Sequence, residues 1–237
     1  MIQGSNFGPE FADAYFRSTR VHAGNRAAFS ACEDLAAGRL QGVVIFGLVG
    51  TGKTHHLVCA AREFEDRVWM ERRFPESGEA AGELVKVDVK QLMAEAAKRY
   101  AEIDPASEPA PTLTREEMTN LADVRFWFVP ELAETLRSEI SEGVRWTAVK
   151  CKECDLLVLD DLGSERTTDF VLEALEQIID YRHRQHLPIA VSTNLRWPGA
   201  VRDRYGDRAV SRWSQHCAVV EMTGPDQRIG QAKGGTE

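Results

Sequence analysis

Apolar and polar positions along the chain follow two periods. "GVVIFG", residues 42 to 47, is a continuous β-branched run closed by glycine, as expected of a strand covered on both faces of a parallel sheet. "DLLVLDD", 155 to 161, repeats the pattern and ends in acids. "PIAVSTN", 188 to 194, ends in polar residues, and "CAVVEM", 217 to 222, is a further strand. "ELVKVDV", 83 to 89, alternates and reads as the second strand in chain order. A helical period separates these runs. "THHLVCAAREFED" brings Leu57, Val58, Ala61 and Phe64 to one face. "TTDFVLEALEQIIDYRHRQ", 167 to 185, opens on Thr and Asp and lines up Val171, Leu175, Ile178 and Ile179. Residues 90 to about 150 are less regular: "VKQLMAEAAKRYAEI" and "ELAETLRSEISEGVRW" read as helices, and "DPASEPAPTLTREE" as a proline-rich loop. Strands alternating with helices predict a three-layer α/β fold with a mostly parallel sheet.

The chemistry stands at the strand ends. From Gly47 the chain reads G-x-x-x-x-G-K-T, directly after a buried strand and before an amphipathic helix. Glycines at 47, 50 and 52 let a loop curl so that its N–H groups point inward, in front of a helix N-terminus, where phosphates are held. Gly47, Leu48, Val49, Gly50, Thr51, Gly52, Lys53, Thr54 and His55 form the expected nucleotide cradle. Lys53 reaches the β- and γ-phosphates, and the Thr54 hydroxyl is a ligand for Mg²⁺. Asp160 ends a buried strand, where open α/β sheets hold ligands, and is placed to bind Mg²⁺ through its water shell. Asp161 is a candidate to orient the attacking water; the alternative is a cap for the turn "LGSER" that follows. Asn194, at the tip of an apolar strand, needs a polar partner; it faces the γ-phosphate if its strand lies between the loop strand and the Asp160 strand.

Composition narrows the class without deciding it. The chain has 237 residues, 43% apolar and 28% charged, enough for one α/β domain or a domain with a small appendage. No apolar run nears the ~18 residues that span a bilayer, and residues 1 to 16 lack the charge and apolar pattern of a secretory signal, so a cytoplasmic location is the expectation. The five cysteines, Cys32, Cys59, Cys151, Cys154 and Cys217, suit reduced thiols; the C-x-x-C at 151 and 154 has no second ligand pair at zinc spacing. Net charge is −8, yet seven arginines between 182 and 212 face only Asp203 and Asp207, so that segment is +5 and the remainder −13. This predicts a locally basic face on an acidic body, and partners with it.

"FGLVGTGKTHH", "DLLVLDDLGSE", "VSTN" and "YGDRAVSRW", with the weaker lead-in "NRAAFSACEDLAAGRLQGVVIFG", resemble the AAA+ ATPases, in the branch of the DnaC and DnaI helicase loaders and the IstB transposition ATPases. The resemblance spans residues 25 to about 222. It implies a P-loop NTPase core of the ASCE/AAA+ type, a five-stranded parallel sheet in the order 5-1-4-3-2, and ATP-dependent assembly of several copies; as a departure, the few residues after the fifth strand predict no C-terminal helical lid of the kind common in other AAA+ proteins. By this likeness Lys53 and Thr54 are Walker A residues, Asp160 and Asp161 the Walker B pair, and Asn194 the sensor of the γ-phosphate. Arg212, with Arg208 as the alternative, falls where the family places an arginine that reaches a neighbouring subunit's nucleotide. The Walker B pair departs from the more usual Asp-Glu. The expected organisation is a short segment over 1–24, an ATPase core over 25–224 with an insertion at about 90–150, and a flexible tail over 225–237. The loaders of this branch carry an N-terminal helicase-binding domain, so here that contact falls to the 1–24 segment or the insertion.

The leading expectation is an ATP-hydrolysing assembly factor that oligomerises on single-stranded DNA and delivers a replicative helicase, with ATP and Mg²⁺ as cofactors. An IstB-like regulator that recruits a transposase, a non-hydrolysing adaptor clamped by ATP, and a P-loop small-molecule kinase are the alternatives. A GTPase is disfavoured because no N-K-x-D stretch is present.

Overall fold

The computed structural model describes residues 9–73, 122–166 and 168–227. In chain order its elements are α1 (Arg26–Ala36), β1 (Gly42–Phe46), α2 (Lys53–Arg73), β2 (Val124–Phe128), α3 (Val129–Ser141), α4 (Trp146–Glu153), β3 (Leu156–Leu162), α5 (Asp169–Arg184), β4 (Ile189–Thr193), α6 (Gly199–His216) and β5 (Cys217–Glu221). The strands form one parallel sheet in the order β2-β3-β4-β1-β5, the expected 5-1-4-3-2 read from the other edge. The three inner strands are the continuous apolar runs, because only they are covered on both faces.

One core cluster lies between the sheet and α1 and α2, with Leu35, Val43, Ile45, Leu57 and Phe64 at its centre. The other lies on the opposite face, where Leu132, Leu157, Leu159, Ile178 and Trp213 meet. This is the three-layer P-loop core. Two local choices fix helix α5. Thr168 caps it, its hydroxyl accepting from the Val171 N–H at 3.4 Å, and Arg182, His183 and Arg184 end it where the helix dipole favours cations.

The strand beside β3 is Val124–Phe128, which the sequence reading had placed inside an insertion. As an edge strand it is only partly buried, and its aromatic residues sit on both faces, so neither a continuous run nor a clean alternation marks it. The helix expected over 131–146 also divides: α3 ends before Gly143, whose φ of +72° turns the chain, and α4 begins at Trp146. From Ala122 on, the stretch expected as an insertion is part of the three-layer core. The strand read at 83–89, the helix at 89–103 and the loop at 104–117 lie outside the described residues.

The basic segment also resolves differently from its charge count. Arg182 is fully enclosed. Its Nη1 donates to the carbonyls of Cys151 (3.0 Å), Lys152 (3.2 Å) and Cys154 (2.9 Å), and its Nη2 to that of Pro188 (2.5 Å). It caps the end of α4 and ties it to β4. Arg202 pairs with Asp207, Arg204 with Glu165, Arg208 with Glu176, and Arg212 with Asp180. Asp207 is already counted in the +5; Glu165, Glu176 and Asp180 come from outside the segment and neutralise much of it, while Arg196 remains exposed. Cys151 and Cys154 are buried free thiols, and burial raises them to about 12 and about 11. Among the described residues no helix is long and apolar enough to cross a membrane.

Replacing Arg182 by Met takes a donor from four carbonyls, of which those of Cys151 and Cys154 belong to buried residues and that of Pro188 keeps the Leu157 N–H. We expect Arg182→Met to destabilise the protein by about 3 kcal/mol or more in denaturant unfolding. A loss within experimental error would show that water replaces the guanidinium there.

Candidate nucleotide site

Three strand ends meet at one mouth because β4 lies between β1 and β3. The loop after β1, Asn194 after β4 and the acids of β3 therefore face one another. The loop depends on glycine at two close approaches. Gly47 has φ +149°, and a Cβ there would stand 2.1 Å from the Met222 carbonyl; Gly50 has φ +77°, and a Cβ would stand 2.0 Å from the Asp226 carboxylate. The Thr51 hydroxyl closes the turn on the Leu48 carbonyl at 2.9 Å, leaving Leu48 and Val49 exposed at its tip.

Lys53 is 7% exposed and lies within the loop. Its Nζ donates to the carbonyls of Gly47 (2.9 Å) and Leu48 (2.7 Å) and to Asn194 Oδ1 (2.7 Å). Asn194 Nδ2 in turn donates to Asp161 Oδ1 at 2.5 Å, so one amide joins the lysine to the acid. On the inner side, the Thr54 hydroxyl lies 3.0 Å from both Asp160 oxygens. Ser192 completes the arrangement: its hydroxyl donates to Asp160 Oδ1 at 2.5 Å and accepts from the Asp161 N–H at 2.9 Å.

Successive residues of a strand point to opposite faces, yet Asp160 and Asp161 both reach this mouth. The register shift between Leu159 and Leu162 and the left-handed backbone of Asp161, φ +59°, explain it. Burial raises the Asp160 carboxyl above its ordinary value, against the hydrogen bonds from Ser192 and Thr54 that favour the charged form. A hydroxyl and an enclosed carboxylate in contact are the donor set of a hard divalent cation, so Thr54 and Asp160 fit Mg²⁺.

Beside the loop is a cleft of about 670 Å³, lined among others by Thr19, His22, Asn25, Thr51, His55 and Gln227. The segment before α1 packs on the core, and its residues from Ser18 to Asn25 form a wall of the cleft: Thr19 Oγ1 lies 2.8 Å from His55 Nε2, and the Thr223 N–H donates to the Gly24 carbonyl at 2.9 Å. Burial holds His55 and His56 below the ordinary histidine value, so near neutral pH their rings are uncharged. Residues 225–227, expected as part of a tail, fold back here, with the Gln227 N–H donating to the Gly50 carbonyl at 2.8 Å.

The structure brings together Lys53, Thr54, Asp160, Asp161 and Asn194. It does not bring Arg212 to this mouth. Arg212 sits on α6 against Asp180 and Glu176 of α5 and is 20% exposed; Arg208, 72% exposed, lies 3.4 Å from Glu176. Sequence reasoning gave no role to Ser192, although a serine inside a buried strand end was a visible signal. It also missed the wall built by residues 18–25, which has no apolar period.

No protein-family model matches the chain. Over 79 residues it is 32% identical to the phage-like element PBSX protein XkdC of Bacillus subtilis (strain 168), a match covering 30% of this chain and 30% of that protein's length. The fold is that of the DnaC helicase loader, with TM-score 0.60 and 17% identity over 91% of this chain and all of that one. It is equally that of the replication initiator DnaA bound to AMPPCP and single-stranded DNA, with TM-score 0.60 and 19% identity over 92% of this chain and 51% of DnaA. The DnaC fold is one to which the motifs pointed.

The raised carboxyl of Asp160 gives a pH-dependent prediction. A buried acid with a raised folded value makes the protein lose stability as pH rises from about 4 through that value. Asp160→Asn removes this cost. The melting midpoint of the nucleotide-free variant should match the wild type near pH 4 and exceed it near pH 8, by about 2–4 °C for each kcal/mol relieved. A gap that closes as pH rises would reverse the sign we assign.

Proposed function

We propose that the chain is a magnesium-dependent ATPase of the DnaC- and DnaI-like AAA+ type, active as an oligomer on DNA, and that it serves as a helicase-loading assembly factor. The observation that carries this reading is the convergence of Lys53, Thr54, Asp160 and Asn194 on one mouth beside a cleft large enough for a nucleoside.

Lys53 is bonded to two loop carbonyls and to Asn194. A triphosphate offers charged oxygens in their place, and the ammonium turns to the β- and γ-phosphates. Asn194 is then released from the lysine and faces the γ-phosphate. Asp161, held by the same amide, is placed to orient a water for in-line attack. Mg²⁺, when bound, neutralises charge on the transferring phosphoryl group; Thr54 and Asp160 hold it. The AMPPCP bound by the similarly folded DnaA supports an adenine nucleotide as the ligand.

A cation from a neighbouring copy completes the charge balance in the transition state. Arg212 and Arg208 lie outside their own site, which suits service to the next subunit. The hydrogen bond between Asp161 and Asn194 favours slow turnover by the lone subunit, since the water-orienting carboxylate is engaged until γ-phosphate arrives. DNA binding rests on the exposed Arg196 beside Asn194, and the single strand bound by DnaA supports it.

Lys53→Ala should abolish ATP binding in isothermal titration, and unchanged affinity would defeat the proposal. Arg212→Ala should keep ATP affinity within about threefold while turnover falls by about tenfold or more, and mixing it with Lys53→Ala should restore part of the rate. No recovery in the mixture would exclude an arginine acting across the interface. Single-stranded DNA affinity should fall with added salt and weaken in Arg196→Ala without loss of folding. Salt-independent binding would sink the DNA assignment. Capture of a replicative helicase only in the presence of ATP tests the loader role, and ATP-dependent capture of a transposase instead would overturn it.

A further inference from the structure

Glu165 is an acid that the phosphate chemistry leaves unused, and its side chain is wholly enclosed. It follows the Asp160–Asp161 pair by a few residues, in the turn that leads to α5. Its Oε2 accepts from the Gly163 N–H at 2.8 Å. Its Oε1 accepts from Tyr205 Oη at 2.5 Å and from Arg204 Nε and Nη2 at 3.3 and 3.2 Å, and Arg204 also donates to the Glu165 carbonyl. One carboxylate thus ties the turn beyond the acids to two adjacent residues of α6. Burial and the bond to Glu165 raise the Tyr205 hydroxyl, which stays protonated as the donor.

Helix α6 is two rods. Gly206, the residue after Tyr205, has φ +81° and ψ +168° and breaks it. The first rod carries the two residues held by Glu165; the second carries Arg208 and Arg212. Tyr205 and Trp197 both pack on Trp213 of the second rod, with ring centroids 6.2 and 6.1 Å apart. The turn and the strand β4 exit also touch: a Cβ on Gly163 would stand 2.6 Å from Leu195, the residue after Asn194. Two contact routes therefore lead from the mouth to the arginine-bearing rod. One runs from the Asp161 turn through Glu165 and Tyr205, the other from Asn194 through Leu195 and Trp197. The second rod is seated on the core through Ala209, Val210 and Trp213 and against α5 through Arg208 and Arg212, and the contacts of Tyr205 and Trp197 with Trp213 bear on that seat from the side of the mouth.

We propose that Glu165 is a positioning residue: it couples the turn after the paired acids to the angle at which α6 presents its arginines to the neighbouring subunit. The inference rests on the ATPase reading above. The Glu165 carboxylate is bonded to Gly163, Arg204 and Tyr205, and not to Lys53, Thr54, Asp160 or Asn194. Its effect is therefore on turnover in the assembly and not on binding of ATP.

The test uses the full chain. Glu165→Gln keeps the volume and one acceptor while removing the charge. ATP affinity by titration should stay within about threefold, and turnover of the assembled protein should fall by about tenfold or more, the scale of a misplaced catalytic group. Mixing Glu165→Gln with Lys53→Ala then separates the coupling from a local defect. Lys53→Ala subunits bind no ATP but present a correctly held α6 to the intact mouths of Glu165→Gln subunits, so turnover should recover toward the level of the Lys53→Ala and Arg212→Ala mixture. Tyr205→Phe, which keeps the charge pair and removes one hydrogen bond, should give a smaller fall of about threefold with the same recovery, and it serves if Glu165→Gln does not fold.

Undiminished turnover in both variants overturns the proposal. Loss without recovery in the mixture also overturns it, since it places the defect in the variant's own mouth. A wild-type protein that binds and hydrolyses no ATP sinks the ATPase reading itself, and this inference with it.

Discussion

The enclosure of Lys53 and Asp160 at the open end of a parallel sheet governs the rest of this structure. An ammonium and a carboxylate so little exposed are costly unless each finds partners. Here the lysine is bonded by two loop carbonyls and Asn194, and the acid by Thr54 of the first turn of α2 and Ser192 of β4. The strand order makes this possible, because β4 inserts Ser192 and Asn194 between loop and acids. Burial raises the carboxyl and the ammonium is held by neutral oxygens, so a magnesium triphosphate would improve the balance of both.

Much of this was legible in sequence for physical reasons. The inner strands are written as continuous apolar runs because both their faces are covered, and the glycine loop follows one of them directly. Asp160 and Asn194 stood out as polar residues at apolar strand ends. The α5 helix announced itself through Thr168 and the stripe at Val171, Leu175 and Ile178. Other features leave no periodic trace. The edge strand Val124–Phe128 is half covered, so its aromatic residues fall on both faces. Residues 18–25 wall the cleft through hydrogen bonds and short turns. The convergence of Asp160 and Asp161 on one side needs a bulge and a left-handed backbone that a strand pattern does not encode.

Charge counting misled most at the arginines. A sequence sum treats each guanidinium as a surface cation, whereas packing assigns each a task. Arg182 caps a helix from inside the protein, Arg204 holds Glu165, and Arg212 is drawn to Asp180. The segment between Asn194 and β5 is accordingly less a basic face than two packed rods, the first tied to the turn after the acids and the second carrying the exposed Arg208. Hydrogen bonds run from the phosphate loop through Asn194 to Asp161, and from the turn after it through Glu165 to the first rod.

The most direct measurement is a crystal structure of the protein with magnesium and a non-hydrolysable ATP analogue. The account predicts that Lys53 Nζ leaves the Gly47 and Leu48 carbonyls for the β- and γ-phosphate oxygens. It also predicts a metal ion within about 2.1 Å of Thr54 Oγ1, with Asp160 oriented toward it. An analogue bound elsewhere, or a mouth in which Lys53 keeps its carbonyl and Asn194 partners under saturating nucleotide, would contradict it.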